Sequence, residues 1–166
     1  MDIKKTANLL LNFTLKRLAE ISGIVIFIAG ILLFIALFSY SPEDPNFIFP
    51  KDTEIKNLLG FQGSYVSDLF LQSIGLISFL VSLSFIFTGI NIFLKKEIFL
   101  LIENSFFVIL YSIFGSIFLN YFYKDAFELF INGNGGFVGQ YLTSTFLENL
   151  IKFNETISYY FLIIIT

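Results

Sequence analysis

Three stretches of this 166-residue chain, 21–41, 69–94 and 104–123, contain no charged side chain, and nothing else in the sequence constrains its fold as strongly. Crossing a bilayer core of about 30 Å takes roughly 20 helical residues at about 1.5 Å each, with few or no charges, and each stretch qualifies. Glu20 and Pro42 bracket the first, Lys95 and Lys96 end the second, and Glu103 and Lys124 flank the third. Inside hydrocarbon every backbone N–H and C=O must be paired, which selects helix over an open strand. Strands of a membrane barrel alternate lipid-facing and lumen-facing residues, and runs such as Phe27-Ile28 or 77–80 do not alternate. A fourth apolar run, 157–166, ends at Thr166 after about half a bilayer of rise. It is read as the start of a helix whose remainder is missing, which makes the chain a fragment. The expectation is an all-α membrane protein, a polytopic bundle of four transmembrane helices with the fourth truncated, plus an outer amphipathic helix.

Composition narrows the chemistry. Only 14% of the residues are charged and 56% are hydrophobic, against about a quarter charged in ordinary soluble domains. A net charge of −3 does not suit an electrostatic nucleic-acid binder. The chain has no histidine and no cysteine. That removes thiolate nucleophiles, imidazole bases and the usual zinc, haem and iron–sulfur ligand sets. No catalytic residue, cofactor or metal is expected.

Lysine and arginine set the expected orientation. Segments before the first span and after the second carry Lys4, Lys5, Lys16, Arg17, Lys95 and Lys96; those after the first and third carry Lys51, Lys56, Lys124 and Lys152. Nine of the thirteen acidic residues fall on the second side. Residues 1–20 are therefore read as a cytoplasmic segment, and 42–68 and 124–156 as outer loops, within a membrane unit covering 21–166. The first twenty residues carry no small-residue cleavage site, and Leu9, Leu10, Phe13, Lys16 and Arg17 suggest an amphipathic lead-in on the membrane surface.

Three loop elements stand out. The first span leaves through Leu37-Phe38-Ser39-Tyr40-Ser41-Pro42-Glu43-Asp44-Pro45, where Tyr40 suits the interface and the prolines make a rigid turn. The second span is entered through Asn57-Leu58-Leu59-Gly60-Phe61-Gln62-Gly63-Ser64-Tyr65-Val66-Ser67-Asp68. Gly60 and Gly63 permit a sharp bend or close approach, and Ser64 is a plausible helix N-cap. Asp68 has two readings, an ion or proton site near the hydrocarbon or an anchor held by the positive end of its helix. The third element, Asn132-Gly133-Asn134-Gly135-Gly136-Phe137-Val138-Gly139, lacks the strand and the Lys-Ser or Lys-Thr of a phosphate cradle. Val138, Leu142, Phe146 and Leu150 then recur every fourth residue, as on an amphipathic helix. Within the spans, Ser78 with Ser82 and Ser112 with Ser116 form small-residue pairs near Gly75 and Gly115. Such pairs let helices approach closely, either within one chain or between chains.

Together the three elements resemble the N-terminal four-span membrane module of the FtsK/SpoIIIE family of bacterial DNA translocases. There the first span ends in a Leu-x-Ser-Tyr-x-Pro-x-Asp-Pro-like sequence, matched by Leu37, Ser39, Tyr40, Pro42, Asp44 and Pro45. An Asn-x-x-Gly-x-x-Gly-Ala-x-x-Ala-Asp-like sequence precedes the second span, matched by Asn57, Gly60, Gly63 and Asp68, with Ser64 and Ser67 in place of the alanines. A Gly-Gly-x-x-Gly element is matched by Gly135, Gly136 and Gly139. The resemblance covers about residues 20–166. It implies a bacterial inner-membrane anchor with a cytoplasmic N-terminus. It also implies targeting to the division septum and contact with the bilayer, with other division-site membrane proteins and with further copies of itself. The ATP-driven motor of such proteins is not in these residues, so neither ATP nor DNA binding is expected of them. A different class remains open from the multi-span layout and Asp68: a small transporter or channel subunit.

Overall fold

The structure is a computed structural model that describes residues 3–45, 54–123, 132–147, 149, 160 and 163. The described residues form helices and connecting turns with no strand among them. The helices are α1 (Ile3–Phe38), α2 (Gly60–Ile74), α3 (Ile77–Lys95), α4 (Phe99–Phe122) and α5 (Gly136–Leu142), followed by a π-helical turn, Thr143–Leu147. Three of them are long and apolar enough to cross a membrane: α1 from Asn8, α3 and α4. The all-helical, multi-span class read from the sequence is the class observed.

Three boundaries differ from the sequence reading. The apolar window 69–94 is not one span, because the backbone breaks at Gly75, which adopts φ 65°. The crossing helix is α3 alone, whose 19 residues rise about 28 Å. Its predecessor α2, at 15 residues, rises only about 22 Å, short of a bilayer. The lead-in expected over 1–20 is likewise not separate: from Ile3 onward it is the first part of α1. The third span begins earlier than the 104–123 window, at Phe99. The expected fourth span, 157–166, lies outside the described residues except for Tyr160 and Ile163.

The antiparallel pair α1 and α3 is the spine of the fold, and small residues let the two backbones touch. A Cβ on Gly23 would lie 2.7 Å from the Phe93 nitrogen, and one on Gly30 2.7 Å from that of Ile86. From the other side, a Cβ on Gly89 would lie 2.5 Å from the Phe27 nitrogen. Ala19, Leu33, Ala36 and Leu37 of α1 are buried along the same seam, as are Val81 and Ile92 of α3. The ion pair of Glu20 Oε1 with Lys96 Nζ at 2.7 Å marks one end of the seam, and Arg17 Nη1 reaches the other Glu20 oxygen at 2.5 Å. At the other end, Leu33, Leu37, Leu71, Ile77 and Val81 form the core, which places the start of α3 level with the finish of α1. Ser78, Ser82, Ser112 and Ser116 are all buried, so these small residues serve packing inside the chain.

Gly89→Leu is expected to force α1 and α3 apart and cost about 1–3 kcal/mol, the usual penalty of overpacking, read by reversible unfolding in mixed micelles. Gly115→Ala is the contrast. Its Cβ would meet only the Ile77 side chain, at 2.6 Å from Cδ1, which can rotate away, so little change is expected.

Candidate functional site

The motif residues converge at the end of the bundle where α1 finishes, in two linked clusters. The first ties the exit of α1 to the entry of α2. A helix leaves its last carbonyls unpaired, and here a side chain takes them: Asn57 Nδ2 donates to the Ala36 carbonyl at 2.9 Å and the Ser39 carbonyl at 3.3 Å. The Asn57 Oδ1 accepts the Leu59 N–H at 3.1 Å. Ser39 Oγ donates to the Ile35 carbonyl at 2.7 Å and accepts the Leu58 N–H at 3.1 Å. Asn57 and Asp44 are each only 4% exposed. The Asp44 carboxylate is occupied by backbone: Oδ1 accepts the Lys56 N–H and Oδ2 the Asn57 N–H, both at 2.8 Å. Ser41 and Pro42 form the turn that delivers it, closed by the Asp44 N–H on the Ser41 carbonyl at 3.2 Å, with Pro42 in the position where its fixed φ suits a turn.

Gly60 sits at the bend into α2 with φ 65°, its N–H on the Asn57 carbonyl at 2.9 Å. Gly63 makes the room: a Cβ there would overlap the Asn57 side-chain oxygen. Ser64 is not the N-cap the sequence suggested. It lies inside α2, and its Oγ donates at 2.8 Å to the carbonyl of Pro45, binding the connector to the helix. Nor is Asp68 in the first turn, where the positive helix end would hold it. It is buried two turns in and accepts the Tyr40 hydroxyl at 3.2 Å. Burial foremost, with the Asp68 charge adding to it, pushes the Tyr40 phenol up to about 12, so Tyr40 stays a neutral donor. At the exposed edge Lys56 pairs with Glu43, whose carboxylate raises the Lys56 ammonium above its ordinary range.

The second cluster is a dock for the glycine loop. The break at Gly75 leaves backbone groups loose beside hydrocarbon, where each must find a partner. The Asn134 carbonyl accepts the Leu76 N–H at 2.9 Å, and Ser116 Oγ of α4 donates to the Ile74 carbonyl at 3.1 Å. Gly75 and Gly136 both need the left-handed conformation, at φ 65° and 64°, and they pack backbone to backbone. A Cβ on Gly135 or Gly139 would overlap the Ser116 carbonyl. Asn134 is 1% exposed and its Nδ2 donates to the Tyr123 carbonyl, closing the end of α4. Asn132 Nδ2 donates to the Gln72 carbonyl at 3.2 Å and lies 3.4 Å from its Oε1. Because Gln72 and Asp68 both belong to α2, with Asn132 bonded to the one and Tyr40 to the other, the two clusters form one network.

Ser39, Tyr40, Pro42, Asp44, Pro45, Asn57, Gly60, Gly63, Asp68, Gly135, Gly136 and Gly139 lie in this network or in the turns that shape it, whereas Leu37 lies in the apolar core. Gly75, Gln72 and Ser116 belong to it as well, although sequence reasoning does not assign them there, and for Asn134 it names the loop without the contacts. The available signal is a glycine near the start of an apolar window and a loop whose two asparagines alternate with glycines. One expectation fails in detail: Phe146 does not continue the face of Val138 and Leu142, because the π-helical turn changes the residue spacing, and Phe146 is 57% exposed. Leu150 lies outside the described residues. Among the described residues no group of three or more metal-ligating side chains is gathered. The arrangement binds backbone to backbone, and its carboxylates act as hydrogen-bond acceptors.

Asp44→Ala is expected to lower stability by roughly 1.5–3 kcal/mol, since it strips buried N–H groups of a charged acceptor. Glu43→Ala removes an exposed carboxylate that pairs with Lys56 and should cost about 0–1 kcal/mol. Tyr40 supplies a pH test. Its folded value lies above the ordinary 10.0, so its contribution is full below pH 10 and disappears as the pH rises toward about 12. Tyr40→Phe should lack that part of the alkaline loss of stability, measured against the parent chain.

The model of the 4TM region of DNA translocase FtsK/SpoIIIE matches residues 15–166. The DNA translocase FtsK of Rickettsia prowazekii is 31% identical over 133 residues, 80% of this chain and 17% of that protein. That of Rickettsia typhi is 30% identical over 135 residues, again 80% and 17%. The counterpart from Azospirillum brasilense is 32% identical over 88 residues, 52% of this chain and 14% of that protein. The chain thus spans less than a fifth of the curated relatives it matches. No solved structure matches it at a significant level.

Proposed function

Because the chain belongs to the family of the 4TM region of DNA translocase FtsK/SpoIIIE, we propose that it is the membrane-anchoring and septum-targeting module of a DNA translocase acting in cell division and chromosome segregation. The family and the three apolar helices make it a multi-pass inner-membrane protein. One observation carries the finer reading: the motif residues, Asp44, Asn57 and Asp68 included, are engaged in holding the helix ends together. A chain that devotes its buried polar groups to a rigid end is suited to hold a position in the membrane. In this reading it performs no catalysis and binds neither ATP nor DNA. Its partners are the bilayer, other division-site membrane proteins and further copies of itself. Its N-terminus is cytoplasmic, with the Asp44–Asn57 corner and the glycine loop on the outer side.

Fused to a fluorescent protein, the chain is expected to collect at midcell in dividing bacteria; uniform membrane fluorescence would reject the targeting role. Orientation is tested separately. The absence of native cysteine gives a silent background, and cysteine in place of the exposed Lys56 should react with a membrane-impermeant thiol reagent in intact cells. One in place of the exposed Lys95 should not. Asn134 is unsuitable for this purpose, being 1% exposed.

A further inference from the structure

The two short helices α2 and α5 carry exposed apolar side chains. On α2, Phe61, Tyr65 and Leu69 follow one another at four-residue spacing, so they line one side of the helix. Phe61 is 52% and Leu69 55% exposed, and the Phe61 and Tyr65 rings lie 6.4 Å apart. The only charged residue of α2, Asp68, points the other way, into the contact with Tyr40. On α5, Phe137 and Tyr141 are 57% and 55% exposed and stack at 5.8 Å with their planes 19° apart. The two helices pack against each other.

Depth and continuity identify what covers these faces. Leu71 packs with Leu33 and Leu37, and Asp68 meets Tyr40, so α2 crosses α1 at the level where α1 leaves the hydrocarbon. The entry of α2 is continuous with the lipid-facing surface of α1. The Leu58 N–H bonds Ser39, the neighbour of Phe38, and Phe38 and Leu58 are 76% and 74% exposed. Aromatic side chains with an apolar body and a polar tip favour the headgroup level of a bilayer, and an uncharged helix face beside it gains by entering the acyl boundary.

We propose that α2 and α5 form an interfacial collar whose partner is the phospholipid bilayer: Phe61, Tyr65, Leu69, Phe137 and Tyr141 sit among the headgroups and upper acyl chains of one leaflet. The helix that sequence patterning joins to the second span thus lies along the membrane and crosses none of it. Its exposed polar side chain, Gln62, falls in the first turn, where water is close.

Single cysteines at Leu69 and Tyr141, spin-labelled in the full chain reconstituted in phosphatidylcholine–phosphatidylglycerol bilayers, test the collar. Collision with oxygen reports lipid and collision with a water-soluble nickel chelate reports solvent. Labels at Phe87 of α3, 62% exposed at mid-helix, and at Lys56 supply the lipid and water references. The oxygen-to-nickel ratio at 69 and 141 should fall between those references, on the lipid side of their midpoint. A ratio equal to that at Lys56 overturns the proposal by placing the collar in water. Exclusion of both reagents at 69 and 141 overturns it equally, since a protein surface or a second copy then covers the faces. Both substituted side chains are exposed, and an unchanged helical circular dichroism spectrum confirms that each labelled chain is folded.

Discussion

A backbone amide or carbonyl without a partner in hydrocarbon costs several kcal/mol, and among the described residues the ends of α1 and α4 are two places where straight helix stops beside apolar surroundings. Both departures are closed by buried asparagine. At the end of α1 the Asn57 amide takes the Ala36 and Ser39 carbonyls. At the end of α4 the Asn134 amide takes that of Tyr123, while its own backbone carbonyl receives the N–H of Leu76 beyond the break at Gly75. Asn57 suits its place because one short side chain both donates, through Nδ2, and accepts, through Oδ1 from the Leu59 N–H. Serine and aspartate supply the rest, with Ser116 reaching Ile74 and Asp44 holding two consecutive amides.

The distribution of polar groups separates a tied end from apolar flanks. The α1–α3 seam is apolar, and its glycines let the two backbones touch, so its attraction is close packing. By contrast only 17% of the spanning window of α4 is buried, against 39% for α3. The fold therefore joins one firmly tied end to long apolar flanks that face outward. Such a body keeps its shape in a bilayer while offering lipid and neighbouring helices a wide surface, which fits an anchor better than a pathway for ions. Asp68, the carboxylate nearest a spanning role, lies on the short helix α2 and is taken by Tyr40.

Much of this is legible in the residue string, and the reasons differ from place to place. The spans are legible because charge is so costly in lipid that an uncharged apolar run of about 20 positions marks a crossing. The turn at Pro42 and Asp44 is legible because proline fixes its own backbone and restricts its neighbour. For Ser64 and Asp68 the residue pattern finds the right region and the wrong partners. A cap and an in-helix tether use the same side chain, and only the position of the Pro45 carbonyl and the Tyr40 hydroxyl separates them. Gly23, Gly30 and Gly89 carry no local signal, since a glycine in a membrane helix has meaning only through what approaches it.

The amino-acid order by itself determined that the chain carries three apolar stretches suited to a membrane and which loop segments gather its polar and glycine residues. Those properties rest on solvation and on local backbone preference, both of which act within a few neighbouring positions. Tertiary structure decided that the window 69–94 divides at Gly75, because the benefit of breaking there comes from a loop some sixty residues further on. It also decided that three separated loop elements form one network. Hydrogen bonds between distant segments depend on where helix packing brings them, and no local rule encodes that placement.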